Sequence, residues 1–84
     1  MYQITFACSA RKELERLDPI VRGRVLERIE GLASNPRPPG CRQLEGAVNF
    51  WRIRVGDHRV IYSIDDQHRI VDIVAIRHRS DAYR

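Results

Sequence analysis

Lysine is scarce in this chain: Lys12 is the only one among 15 basic residues, and every other positive side chain is an arginine. Arginine keeps its proton up to a pH of about 12, so these positions grip anions but cannot act as general bases. Cysteine is nearly as rare. Cys8 and Cys41 stand far apart with no CxxC spacing and no neighbouring histidine pair, which argues against a zinc site or a disulfide framework and leaves two free thiols. No apolar run approaches the ~18 residues of a membrane span, and the opening MYQITF is too short and too polar for a signal peptide. The expected location is the cytoplasm, with no membrane contact. There is no glycine-rich phosphate loop, no metal-ligand spacing and no second carboxylate to work with Asp72. No cofactor or metal is therefore expected, and glycosidase, metalloenzyme and nucleotidase routes have no support. The 84 residues carry no internal repeat and allow one domain, 1–84, with a core of marginal size.

What the chain has in quantity is positive charge. A formal net charge of +4 and a pI near 9.7 favour an anionic partner, either nucleic acid or an acidic protein segment. The stretch Phe50 to Ile64, FWRIRVGDHRVIYSI, alternates as two strands joined at Gly56-Asp57. Folding back on that two-residue turn opposes Val55 with His58, Arg54 with Arg59, Ile53 with Val60, Arg52 with Ile61 and Trp51 with Tyr62. One face then holds Trp51, Ile53, Val55, Val60 and Tyr62, which is core. The other holds Arg52, Arg54 and Arg59. Opposing Arg54 with Arg59 costs a few tenths to ~1 kcal/mol against a neutral pair, a cost that folding does not ask for and that an anionic ligand explains.

Around this hairpin the chain reads in order as follows. Tyr2 to Ala7 alternates as a first strand. Ser9 is the expected N-cap of a short amphipathic helix with Ala10, Leu14 and Leu17 inward, and Asp18-Pro19 opens a second helix to about Ser34, with Val21, Val25, Ile29 and Leu32 inward. Asn35 to Gly40, NPRPPG, is a stiff loop. After the turn Asp65-Asp66-Gln67-His68, Arg69 to Arg77 forms the last strand. Matching registers place Val71, Ile73 and Ala75 on the core face and Ile70, Asp72, Val74 and Ile76 on the arginine face, with Asp72 near Arg52. The expected fold is α+β: an N-terminal strand, a helical hairpin and a three-stranded antiparallel meander, with the helices on one face of the sheet.

The segment WRIRVGDHRVIYSID, followed by IRHRSDAY at the end of the last strand, resembles the RelE branch of the RelE/ParE toxins of bacterial toxin-antitoxin modules. The resemblance covers almost the whole chain, including SARKELERLDP and the RQLEG lead-in to the hairpin. It implies a ribosome-dependent endoribonuclease that cleaves messenger RNA in the ribosomal A site. Its implied partners are the ribosome, the message and a cognate antitoxin that blocks the basic face, with operator DNA reached only through the antitoxin complex. The family's site positions fall here on Arg52, Arg54, Arg59, Arg79 and Tyr83.

The residue types suit metal-free RNA cleavage, in which the 2′-hydroxyl attacks the adjacent phosphate. Arg59 and Arg79 are expected to stabilise the phosphorane, Arg52, Arg54 and His58 to contact RNA, and Tyr83 to stack on a base or assist proton transfer. The best-known pattern has lysines at positions 52 and 54, where this chain has arginines. His78, beside Arg79, is the expected substitute base. His68 reads as a turn residue. Two further readings share the fold: a catalytically weak protein that acts with its antitoxin at operator DNA, and a ParE-type inhibitor of DNA gyrase.

Overall fold

A computed structural model describes residues 1–46 and 49–79. Its elements are β1 (Gln3–Phe6), α1 (Cys8–Glu15), α2 (Pro19–Gly31), β2 (Arg42–Gln43), β3 (Phe50–Val55), β4 (His58–Asp65) and β5 (Ile70–His78). The strands form one sheet in the order β1-β5-β4-β3-β2, with β1 parallel to β5 and the other neighbours antiparallel. The expected meander is therefore present as β3, β4 and β5. The two-residue β2 adds an outer strand that lies within the stretch read as a lead-in.

The helices begin and end for local reasons. Asp18 accepts a hydrogen bond from the Ile20 N–H at 3.3 Å and Pro19 occupies the first helical position, as the sequence predicts. The start of α1 differs from expectation: its N-cap is Ala7, with no side-chain cap, and Ser9 lies inside the first turn. The sheet sets this start, because the Ala7 N–H is bound to the Ile73 carbonyl while the Ala7 carbonyl already accepts from Arg11. The Arg22 guanidinium reaches back to the Glu15 and Leu17 carbonyls at the end of α1. Helix α2 stops at Gly31, and the turn through Ser34 is closed by tighter bonds from residues 32, 33 and 34 to the carbonyls three before them.

Ala10 and Leu14 of α1, together with Val25, Ile29 and Leu32, pack on Ile53, Val55, Val60, Tyr62, Ile64, Val71, Ile73 and Ile76 of the sheet. Complete burial of each large apolar side chain is worth about 1.5–3 kcal/mol. Tyr62 is wholly buried, and its hydroxyl donates to the Pro36 carbonyl at 2.7 Å, which fixes the proline loop over one end of the core. Burial pushes the Tyr62 hydroxyl's pKa well up. Trp51 is partly buried on the same side, with the Arg37 guanidinium 5.0 Å from its ring centroid.

The last strand departs from the predicted register. Val71 and Ile73 oppose Ile64 and Tyr62 on the core side as expected, but Ala75 opposes Ile61 and Ile76 opposes Val60. Val74 is an extra residue at this point, a β-bulge that exchanges the faces of everything after it. Ile76 is consequently buried in the core instead of lying on the arginine face. Asp72 keeps its predicted place on the arginine face but not its partner: it opposes Ser63 and accepts a hydrogen bond from the Thr5 hydroxyl at 2.6 Å, and among the described residues it forms no ion pair with Arg52.

A surface clasp joins β1, the proline loop and the β4–β5 turn through Asp66. Its carboxylate receives both Arg37 terminal nitrogens, at 3.3 and 2.9 Å, and the Tyr2 hydroxyl at 2.5 Å. The hydrogen bond from Arg37, then that from Tyr2, holds the Asp66 pKa below the ordinary carboxylate range, and the bond to Asp66 holds the Tyr2 pKa above its own. A lowered carboxylate contributes stability above its unfolded pKa of about 3.9, and that stability is lost as the pH falls; a raised tyrosine contributes below about 10, and that contribution is lost as the pH rises. Asp66→Asn is expected to shrink the stability difference between neutral pH and about pH 3, and between neutral pH and about pH 11. Urea unfolding of both proteins at the three pH values checks this.

Candidate nucleic-acid interface

The hairpin forms in the predicted register, with all five expected pairs of β3 and β4 in place. Gly56 makes this possible: it takes φ 61°, the conformation that the first residue of a tight two-residue hairpin turn requires and that residues with a Cβ avoid. Parity then keeps Trp51, Ile53 and Val55 against the helices and turns Phe50, Arg52 and Arg54 to the other, open face of the sheet.

Two rows of arginine positions cross this open face. Arg54 opposes Arg59, and Arg59 in turn opposes Arg77, so one row runs over β3, β4 and β5. A shorter row opposes Arg42 on β2 with Arg52 on β3. The pKa of Arg52 is held below its ordinary value, first by partial burial and then by Arg54, Arg59 and Arg42. The cluster is thus crowded enough to disfavour its own charge. An incoming anion relieves that crowding, and guanidinium forks match the paired oxygens of a phosphate.

Three members of this face lie outside the set that the sequence singles out. Arg42 enters through β2, which is too short to leave a periodic signal. Arg77 enters through the bulge at Val74, without which it would face the helices. Phe50, 37% exposed, was legible, since it stands two residues before Arg52 on the same face. An exposed aromatic ring beside a basic row has the chemistry to stack on a nucleobase.

Arg77 is also braced from outside the sheet. β5 runs past the end of β1, leaving its outer edge uncovered, and there Glu13 of α1 accepts the Ile76 N–H at 3.1 Å and pairs with the Arg77 guanidinium. Arg79 lies just past β5, where its N–H donates to the Asp57 carbonyl at 2.7 Å, so it stands at the hairpin turn beyond the Arg54–Arg59–Arg77 row.

The structure separates the two histidines from the arginines. His58 opposes both Val55 and His78, so both imidazoles belong to the helix side of the sheet, with ring centroids 5.1 Å apart and edge to face. His78 adjoins Arg79 in sequence but is not directed at the open face. His68 sits in the β4–β5 turn, paired with Asp65 at 2.8 Å. Tyr83 lies outside the described residues.

A row of opposed arginines is a stability cost carried for another purpose. Arg54→Thr is expected to raise the unfolding free energy by a few tenths to about 1 kcal/mol at low salt, with the gain shrinking as salt screens the cluster. Denaturant titration at two ionic strengths measures it, and a loss of stability on this change would contradict the repulsion.

Comparison with known proteins agrees with this architecture. Residues 4–83 match the family model described as the ParE toxin of type II toxin-antitoxin system, parDE. The chain is 33% identical over 84 residues to Toxin RelG of Mycobacterium tuberculosis, covering 99% of this chain and 97% of the relative. It is also 33% identical over 84 residues to Toxin RelE of the same organism, covering 99% and 87%. Among solved structures, the archaeal RelE-RelB complex from Pyrococcus horikoshii superposes with a TM-score of 0.83 at 29% identity, covering 93% of this chain and 94% of that one. With a family match over nearly its whole length, RelE-named relatives and an open sheet face crossed by arginines, the chain belongs to the RelE branch of the RelE/ParE toxins of type II toxin-antitoxin systems.

Proposed function

We propose that this toxin is a metal-independent, ribosome-dependent endoribonuclease that cleaves messenger RNA in the ribosomal A site and halts translation. The observation that carries the reading is the row Arg54–Arg59–Arg77 across three adjacent strands, flanked by Arg42, Arg52 and the exposed ring of Phe50. Attack by the 2′-hydroxyl forms a bond from O2′ to phosphorus and breaks the bond from phosphorus to O5′; the hydroxyl proton passes to water, the leaving O5′ takes a proton from water, and negative charge gathers on the non-bridging oxygens. Arg59 and Arg77, with Arg79 at the row's end, stabilise that charge; Arg42, Arg52 and Arg54 hold the backbone, and Phe50 stacks a base. Because no arginine accepts a proton at neutral pH, the rate enhancement comes from orientation and charge stabilisation. Tyr83 keeps its role in stacking or proton transfer by resemblance alone. His78, on the far side of the sheet, is given no part in the chemistry of the open face.

A cognate antitoxin is the proposed inhibitor, covering the arginine face in the cytoplasm and linking the toxin to operator DNA only through the complex. The relatives in complex with RelB support this partner. The ParE description of the matching family supports a second reading, inhibition of DNA gyrase, which needs no cluster of this kind.

The test is a translating extract with a defined message, in which 5′ ends are mapped by primer extension. Cuts at A-site codons are expected from the wild type, with Arg59→Ala cutting at least ~100-fold more slowly. Absence of cuts from folded wild type, together with loss of DNA supercoiling by purified gyrase, would instead select the gyrase reading.

A further inference from the structure

The helix side of the sheet carries a second basic group that the open face does not use. His58 and His78 lie between two hollows that share them, one of about 460 Å³ and one of about 210 Å³. Arg16, just past α1, and Arg77 line the larger; Arg24 of α2 and Asp57 line the smaller. Glu13 also lines the larger hollow, but its carboxylate is engaged by Arg77 and by the Ile76 N–H. Arg16 and Arg24 are exposed, and among the described residues neither guanidinium has a hydrogen-bond or ion-pair partner. With Arg77 and Glu13 paired to each other, the walls present two further guanidinium groups, Arg16 and Arg24, and two imidazoles against one carboxylate, Asp57. Leu17, Val21 and Ile76 supply an apolar floor.

Cationic forks around an apolar floor fit a phosphodiester and the edge of its sugar or base better than they fit a metal cation, which the arginines repel. We propose that this cleft is a second nucleic-acid site, one that binds a backbone phosphate other than the one cleaved. The proposal rests on the reading of the open face as an RNA site and extends it. Arg77 links the two: its strand register places it in the open-face row, and its side chain also lines the cleft. A strand that leaves the open face at the end of β5 therefore meets Arg77, then His78 and His58, then Arg16 and Arg24. The same chemistry serves a phosphate of the message beyond the cut or a phosphate of a separate RNA.

The test measures binding of the full-length protein to labelled single-stranded RNAs of about 6 and about 20 nucleotides by fluorescence anisotropy over a salt series. The proteins are the wild type, the double variant Arg16→Ala/Arg24→Ala, and Arg52→Ala. The slope of log K against log salt is expected to fall by about 0.7 for each phosphate that the protein no longer neutralises. For the double variant, a fall of about 1 or more with the long RNA alone assigns the cleft to the same strand. A similar fall with the short RNA assigns it to a separate strand. Thermal melting coincident with the wild type shows that both variants are folded. If Arg52→Ala lowers the slope and the double variant does not, the open face stands as an RNA site and the second site is overturned. It is equally overturned if the wild type binds neither RNA, or if the double variant alters only the capture of an acidic antitoxin peptide.

Discussion

One extra residue in β5 governs the face on which this toxin's chemistry is proposed. A strand alternates its side chains with period two, so a single insertion exchanges the faces of all that follows. With Val74 added, Ile76 drops into the core and Arg77 rises into line with Arg59 and Arg54. Without it, an arginine would be pressed towards the helices and an isoleucine exposed, both unfavourable by transfer energy alone. Burial thus enforces the bulge, and the bulge builds the guanidinium row. Glu13 completes the arrangement by closing the sheet edge where β1 has ended and by holding Arg77 there.

Much of this was legible in the sequence because it depends on local chemistry. Gly56-Asp57 sets the hairpin turn, the turn sets the register, and the register sorts Trp51 and Tyr62 to the core and Arg52, Arg54 and Arg59 to the open face. Asp18-Pro19 likewise announces the second helix. What escaped depends on residues distant in sequence. The bulge follows from packing Ile76 under the helices, which alternation alone does not reveal. The start of α1 at Cys8 follows from pairing of β1 with β5, and the bond of Asp72 to Thr5 follows from the same parallel pairing. His78 and Arg79 adjoin in sequence, but His78 falls on the helix side with His58 while Arg79 lies past the end of β5 at the hairpin turn.

The near absence of lysine gives the open face its chemical character. A lysine among other cations yields its proton and serves as a base; an arginine in the same place stays charged, and crowding only lowers its pKa from a very high starting point. A face built from Arg42, Arg52, Arg54, Arg59 and Arg77 is therefore chemically suited to holding phosphate and to stabilising charge that develops on it. Within it, Arg52 is crowded by Arg54, Arg59 and Arg42, while Arg77 is balanced by Glu13. Under the proposed function, a nucleic-acid backbone or an acidic antitoxin segment would relieve that crowding alike.

The most direct measurement of the central claim, that the bulge delivers Arg77 to the phosphate-binding row, compares Arg77→Ala with Arg69→Ala for the rate of message cleavage in a translating extract. Arg69 is an exposed arginine of the β4–β5 turn, outside the rows. The account predicts that Arg77→Ala slows cleavage by about 100-fold or more while Arg69→Ala cuts at the wild-type rate. Wild-type cleavage by folded Arg77→Ala would contradict it.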